Sequence, residues 1–363
     1  MSKDAKNVPA LRFKGYSDAW EKRKLGELAE FINGRAYKQD ELPASGKYPV
    51  LRVGNFYTND NWYYSDLELP EKYYAEKGDL LYTWSATFGP HIWIGPKVIY
   101  HYHIWKVALK NLFEKDFALQ FFEADRVRLL NSTNGSTMIH VTKKDMESKG
   151  ILLPDISEQR NIGEFLRKAD DLIAATQHKI DALEQTKKAL LQRLFDQSWR
   201  FKGYSDPWEK RKLGEVATIT MGQSPDSKNY TLNPQDHILV QGNADIKNGW
   251  VEPRVWTTQI TKIAKKGSVL LSVRAPVGEV SKTAFDVVLG RGVASVGQTD
   301  FLYQYLITLK INGFWLRYST GSTFDSINSA DIKDAIIFLP KKNEQDRIAK
   351  TLNCIDSLIV SVT

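Results

Sequence analysis

The chain has a single cysteine, Cys354. One thiol allows no intrachain disulfide and no cysteine metal cluster. No apolar run approaches the ~18 residues of a membrane span. The first seven residues carry charge with no apolar stretch behind them, which excludes a secretory signal there and makes the cytoplasm the expected compartment. Catalytic motifs are equally scarce. Gly46-Lys47 is followed by Tyr48 and lacks the preceding glycine of a phosphate-binding loop, and no glycine-rich dinucleotide fingerprint follows a strand. Asn233-Pro234 is followed by Gln235, which breaks the Asn-Pro-Pro-aromatic motif of amino-methyltransferases. Pro225-Asp226-Ser227-Lys228 lies in a polar, turn-like stretch and reads as a turn rather than a nuclease fragment. His101-Tyr102-His103 places two histidines on one strand face, but with no further ligands nearby a packed or solvated face is the better reading than a metal site. No residue is marked as an activated nucleophile, so no catalytic residue is assigned.

What is present is a repeat. Arg12–Ala29 and Arg200–Ala217 agree at sixteen of eighteen positions at an offset of 188. The exceptions are Ala19 against Pro207 and Leu28 against Val216. Weaker echoes follow in the same order: Gly54-Asn55 with Gly242-Asn243, Gly78–Leu81 with Gly267–Leu270, Gly135–Thr137 with Gly321–Thr323, and Leu153–Gln159 with Leu339–Gln345. A chain of 363 residues built this way holds two copies of one unit, each with an opening segment, a divergent body and a helix. The net charge of +7 is uneven. Met1–Ser17 carries +3 and Asp206–Lys342 carries +4, whereas Asp18–Ile156 carries −1. A mild basic excess is compatible with nucleic acid without requiring it.

The bodies read as mixed and strand-rich. Tyr48–Val53, Asp79–Trp84, His91–Tyr100, Ser268–Val273 and Phe285–Leu289 are short β-branched or aromatic runs punctuated by Gly and Pro. Phe117–Leu130 and Leu302–Leu316 read as helices on the sheets. Ser157–Gln197 contains no Gly or Pro except Gly163. Its apolar or small residues recur as Leu166, Ile173, Ile180 and Leu194, and as Ala169, Thr176, Leu183 and Leu190, with Lys187 interrupting. This is the spacing of a coiled-coil seam, with Ser157 available as its N-cap. Ile348, Leu352 and Ile359 continue the seam in the second copy.

Polar loops with aromatic neighbours occupy matching places in the two bodies. Arg, Asn and Gln are the side chains that read purine edges, and Ser and Thr serve bases or phosphates. The same residues also simply make turns, but the difference in dressing between the copies favours two related readers with different targets. The candidate DNA contacts are Arg52, Asn55, Tyr57, Trp84, Ser85, Asn134, Ser136 and Thr137 in the first body. In the second they are Gln241, Asn243, Ser272, Arg274, Ser322 and Thr323.

The opening segment GYSDAWEKRKLGE, the variable body, the Leu-Pro-X3-Glu-Gln start of a long helix and a second circuit of the same parts make the chain resemble the specificity (S) subunit of Type I restriction-modification enzymes. The resemblance implies an α+β fold: two homologous target recognition domains separated by an antiparallel coiled coil of the family's long conserved helices, related by a pseudo-two-fold repeat. On that reading residues 1–156 form the first recognition domain, 157–197 the long helix, 198–342 the second recognition domain and 343–363 a second helix. That second helix is a departure, with 21 residues against 41, and it leaves part of the coil unpaired. The resemblance further implies a non-catalytic subunit that reads a bipartite, asymmetric site in double-stranded DNA. It docks two adenine-methyltransferase subunits and two restriction (motor) subunits. S-adenosylmethionine, ATP and Mg²⁺ belong to those partners, and self-association is expected of the unpaired seam. Two alternatives remain open at this point: a methyltransferase or nuclease with a fused recognition domain, and a coiled-coil scaffold that reads no sequence.

Overall fold

The computed structural model describes residues 7–57, 59–85, 87–132, 141–318 and 326–362. It divides into two compact units, residues 1–174 and 175–363. The first runs β1 (Glu21–Lys24), α1 (Leu25–Leu28), β2 (Ala29–Asn33), β3 (Tyr48–Leu51), β4 (Tyr63–Ser65), β5 (Tyr74–Ala75), β6 (Leu80–Thr83), β7 (Gly89–Ile92), β8 (Val98–Tyr100) and β9 (Ile104–Leu109). Then follow α2 (Lys115–Ser132), α3 (Lys143–Ser148), β10 (Gly150–Leu153) and α4 (Ile156–Phe195), which continues into the second unit. Two four-stranded sheets, ordered β2-β9-β6-β7 and β4-β3-β8-β5, form the body, and β1 pairs with β10 as a separate ribbon. Aromatic residues build the core: Phe122 of α2 meets Phe31 and Tyr82 edge-on, and Tyr82 stacks on Trp105. A helix carrying Phe117, Ala118 and Phe122 at i, i+1 and i+5 therefore covers one sheet face.

The second unit repeats the plan. It comprises β11 (Glu209–Lys212), α5 (Leu213–Val216), β12 (Ile219–Met221), β13 (Tyr230–Thr231), β14 (His237–Val240), β15 (Ile246–Lys247), β16 (Trp250–Val251), β17 (Trp256–Thr257) and β18 (Ile263–Ala264). After these come β19 (Val269–Ser272), β20 (Val280–Lys282), β21 (Val287–Leu289), β22 (Val293–Val296), α6 (Asp300–Ile311), α7 (Ser329–Lys333), β23 (Ile336–Leu339) and α8 (Lys342–Val362). The sheet order β12-β22-β19-β20 reproduces β2-β9-β6-β7, and β17-β14-β21-β18 reproduces β4-β3-β8-β5. The parallel pairing of β3 with β8 recurs as that of β14 with β21.

The repeated opening segment and the Leu-Pro-X3-Glu-Gln motif lock together. Arg12 donates through Nε and Nη2 to the two carboxylate oxygens of Glu158 at 2.8 and 2.5 Å, and through Nη1 to the Asp18 carbonyl at 2.7 Å. Arg200 does the same to Glu344 at 2.9 and 2.6 Å, and to the Asp206 carbonyl at 2.7 Å. The glutamine that follows ties the helix to its proline: Gln159 donates to the Pro154 carbonyl at 2.8 Å and Gln345 to that of Pro340 at 2.9 Å.

Three local expectations are corrected. His91–Tyr100 is two strands, not one, because Gly95-Pro96 breaks the run and Trp93 folds over it to donate from Nε1 to the Pro96 carbonyl at 2.7 Å. Leu302–Leu316 is not one helix: α6 stops at Ile311, Gly313 takes φ +65°, and a separate 3-10 turn, Phe314–Tyr318, follows. The side chain that caps α4 is Asp155, not Ser157; its Oδ1 accepts from the amides of Ser157 and Glu158 at 2.6 and 3.2 Å.

The seam residues divide by environment. In the second unit Leu194, Ile348 and Leu352 are buried in one cluster with Leu191. Ile180, Leu183, Leu190 and Ile359 are half-buried, and Lys187 pairs with Asp356 at 2.5 Å. Pairing of 187 with 356 while 191 and 194 share a cluster with 348 and 352 gives α4 and α8 opposite directions. In the first unit Ile162 packs on the core and Leu166 is half-buried, but Ile173 is 67% exposed.

Candidate nucleic-acid interface

In each unit three segments converge beside the parallel strand pair. In the first, the amide of His101, just past β8, donates to the carbonyl of Leu51, which ends β3, at 2.9 Å. Trp84, just past β6, donates its amide to the His103 carbonyl at 3.2 Å. In the second, Gly290 donates to Val240 at 2.7 Å and Val273 donates to Gly292 at 2.9 Å. These bonds make Arg52 the counterpart of Gln241, Trp84 of Val273, Ser85 of Arg274, and Tyr102 of Arg291. Each pair stands 189 residues apart.

Close backbone approach holds the convergence. A Cβ on Gly34 would lie 2.3 Å from the His101 carbonyl oxygen, and one on its counterpart Gly222 2.0 Å from that of Gly290. A Cβ on Gly292 would lie 2.1 Å from the Gln241 carbonyl oxygen. Glycine is therefore required on both sides of the turn that carries residue 291 and its neighbours.

The second unit opens there into a polar cleft of about 630 Å³, lined by Ser224, Asp226, Tyr230, Gln241, Asn243, Ser272, Arg274 and Arg291 among others. All four described candidates of this body thus share one cleft. Asp245, buried, fixes its floor: Oδ2 accepts from the amides of Gln241 and Gly242 at 2.7 and 3.3 Å, while Oδ1 accepts from Arg254 at 2.9 Å. Asn243 donates to the Pro276 carbonyl at 3.3 Å, and its Oδ1 is buried without a protein partner. Ser272 is itself buried and donates to the Arg274 carbonyl at 3.0 Å, so it braces the turn that presents Arg274. The Pro225–Lys228 stretch is a cleft wall, a 3-10 turn over Ser227–Asn229 capped by Asp226.

The first unit is dressed differently. Arg52 lies over the Tyr63 ring at 4.2 Å and donates to the Asn61 carbonyl at 3.0 Å. Asn55 donates to the carbonyls of Asn59 and Asn61, holding the same loop. Tyr57 hydrogen-bonds His91 Nε2 at 3.2 Å, and His91 stacks on Phe56 at 4.1 Å. Burial holds the His91 imidazole down at about 4. His101 also stands at about 4, through burial and then through the neighbouring His103 and Arg52. Trp84 donates from Nε1 to the Tyr102 carbonyl at 2.9 Å and lies parallel to Trp105. His101-Tyr102-His103 forms a tight ring-packed turn after β8, not a strand face. No group of three or more potential metal ligands occurs among the described residues. Ser85 follows Trp84 at the same rim. Asn134, Ser136, Thr137, Ser322 and Thr323 lie outside the described residues.

Sequence reasoning missed Arg291, Tyr102 and the supporting Asp245. The offset between the copies drifts from 188 at Arg12 to 186 at Leu153, so the first two become matched only once the backbone hydrogen bonds align the turns.

The Type I restriction modification DNA specificity domain model matches residues 17–185 and again 205–362. The chain belongs to the Type I restriction-modification DNA specificity family. The MjaX specificity subunit of Methanocaldococcus jannaschii is 27% identical over 94% of this chain and 87% of its own length. The EcoBI specificity subunit of Escherichia coli is 22% identical over 92% and 78%. Among solved structures, the Type I restriction-modification S subunit of M. genitalium shares the fold with a TM-score of 0.70 at 14% identity, covering 98% of this chain and 94% of that one. The specificity chain is thus α+β with two homologous domains. In its family this subunit supplies DNA recognition and catalysis lies in other subunits. No helix among the described residues is long and apolar enough to cross a membrane.

Proposed function

We propose that the two bodies read the two halves of one interrupted, asymmetric site in double-stranded DNA, each through the convergence of three segments described above. The observation that carries this reading is a shared backbone with unlike side chains: Arg52, Tyr102 and Ser85 in one body, and Gln241, Arg291 and Arg274 in the other. A scaffold that reads no sequence has no use for such variation at matched positions. The remaining candidates among the described residues, Asn55, Tyr57, Trp84, Asn243 and Ser272, position or flank these groups. Two methyltransferase subunits and two restriction subunits complete the working complex. S-adenosylmethionine serves methylation there, and ATP with Mg²⁺ serves the motor. The complex acts in the cytoplasm, and the exposed stretch of α4 supports contact with a second copy. Methylome sequencing of cells carrying this chain with its methyltransferase tests the reading. A motif of two short blocks with a gap is expected; a continuous motif, or none, overturns it.

A further inference from the structure

We propose that Arg291 is a specificity-determining residue that takes the guanine of a G·C pair in the half-site read by the second body. This rests on the bipartite-reader function and adds the identity of one base.

The backbone under Arg291 is built for presentation. Gly290 and Gly292 flank it, the first bonded to Val240 at 2.7 Å and the second so near Gln241 that no side chain fits between them. The Arg291 amide donates to Ser224 Oγ at 3.1 Å, which ties the turn to the opposite wall of the cleft. Among the described residues no carboxylate, carbonyl or ring engages the Arg291 guanidinium, and the side chain is exposed at the cleft. Arg254, by contrast, is paired with Asp245, and one nitrogen of Arg52 donates to the Asn61 carbonyl while its guanidinium lies over Tyr63. A free planar fork on a fixed backbone suits the O6 and N7 acceptors of guanine, which a bidentate arginine contacts in the major groove.

A phosphate contact is the competing role, and two observations weigh against it. The cleft around Arg291 holds the exposed amide of Gln241, a group that matches base edges, and its one other cation among the described residues is Arg274, set against Asp226, rather than a row of cations. Its counterpart in the first body is Tyr102, an uncharged residue. Both bodies must grip the same kind of backbone, so a phosphate anchor is expected to stay cationic in both; a position that alternates between Arg and Tyr is expected of a sequence reader.

The test uses this chain assembled with its methyltransferase subunits. The second body's half-site is first assigned by exchanging Asp206–Lys342 and noting which block changes. Wild type, Arg291→Ala and Arg291→Lys are then compared by methylome sequencing, and by binding of the purified complex to duplexes substituted at each position. Both variants are expected to lose roughly ten- to hundred-fold discrimination at one G·C position of that half-site, with the first half-site unchanged. The unchanged half-site also reports that the variants fold. A second half-site with no G·C pair overturns the proposal. So does an unaltered motif in Arg291→Ala. Equal weakening on all duplexes with recovery in Arg291→Lys identifies a phosphate anchor and overturns it too. A wild-type complex that gives no bipartite motif instead overturns the function itself, before any variant is read.

Discussion

Glu158 and Glu344 are 1% and 2% exposed, and each receives a forked arginine from a segment more than 140 residues away. Removing the carboxylate leaves a part-buried guanidinium without its partner, which destabilises the fold. Glu344→Ala should therefore lower the melting temperature of the chain by several degrees, and Glu344→Gln by less; a melt equal to wild type refutes the lock. The Leu-Pro-X3-Glu-Gln motif was legible in the sequence, but its arginine partner was not, because the pairing exists only once the chain has returned. His91 gives a second residue-level test. Its folded imidazole stands at about 4, below the ordinary value, so between about 6.5 and 4 the unfolded chain binds a proton that the folded chain refuses. Stability from this group is complete above that window and falls as pH drops through it. His101 acts in the same direction. Thermal melts from pH 7 to 4 should show a decline that is shallower in His91→Gln; an identical slope in the variant removes His91 as a cause.

One helix, α4, passes through two environments, and the difference is physical rather than compositional. In the second unit Leu191 and Leu194 are buried with Ile348 and Leu352, because the end of α4, α6 and α8 share one apolar cluster in which Phe195 also meets Phe301 and Tyr305. In the first unit α4 meets α2 through polar contacts, with Gln120 donating to Asp170 and Arg167 paired with Asp116, and Phe13 lies edge-on to Phe165. Phe165, Leu172 and Ile173 stay 59–68% exposed there. The heptad spacing was legible in the sequence, but which heptads find a partner was not, since seven-residue spacing looks the same along the whole helix. An apolar stripe of this kind favours association. The chain without partners should sediment with a mass that rises with concentration, and Leu172→Lys with Ile173→Lys should suppress the rise. A monomer at every concentration in the unmutated chain refutes the stripe as an association surface.

The molecule as a whole is a duplicated frame around two different readers. The frame was the most legible feature, because sixteen matched positions need no structure to be seen. The proposed contact residues were only half legible. Arg52 and Gln241 could be matched from flanking glycines, whereas Tyr102 and Arg291 emerge only when backbone hydrogen bonds align the two turns. The frame also says where a body can be cut. Between Asp206 and Lys342, the ribbon of β11 with β23 is internal to the body and travels with it, as β1 with β10 would in the first. Arg200 and Glu344 both lie outside those limits and stay behind. They are matched by Arg12 and Glu158 in almost the same geometry, so a foreign body that keeps the ribbon meets an intact lock. Replacing Asp206–Lys342 with the body of another family member should thus leave the fold standing. It should also leave Arg52, Tyr102 and Ser85 untouched, since all three belong to the first unit. The methylated motif of the chimera is expected to keep one half-site unchanged and to acquire the donor's block in the other. If both halves change together, recognition is a property of the joined molecule and not of two separable readers.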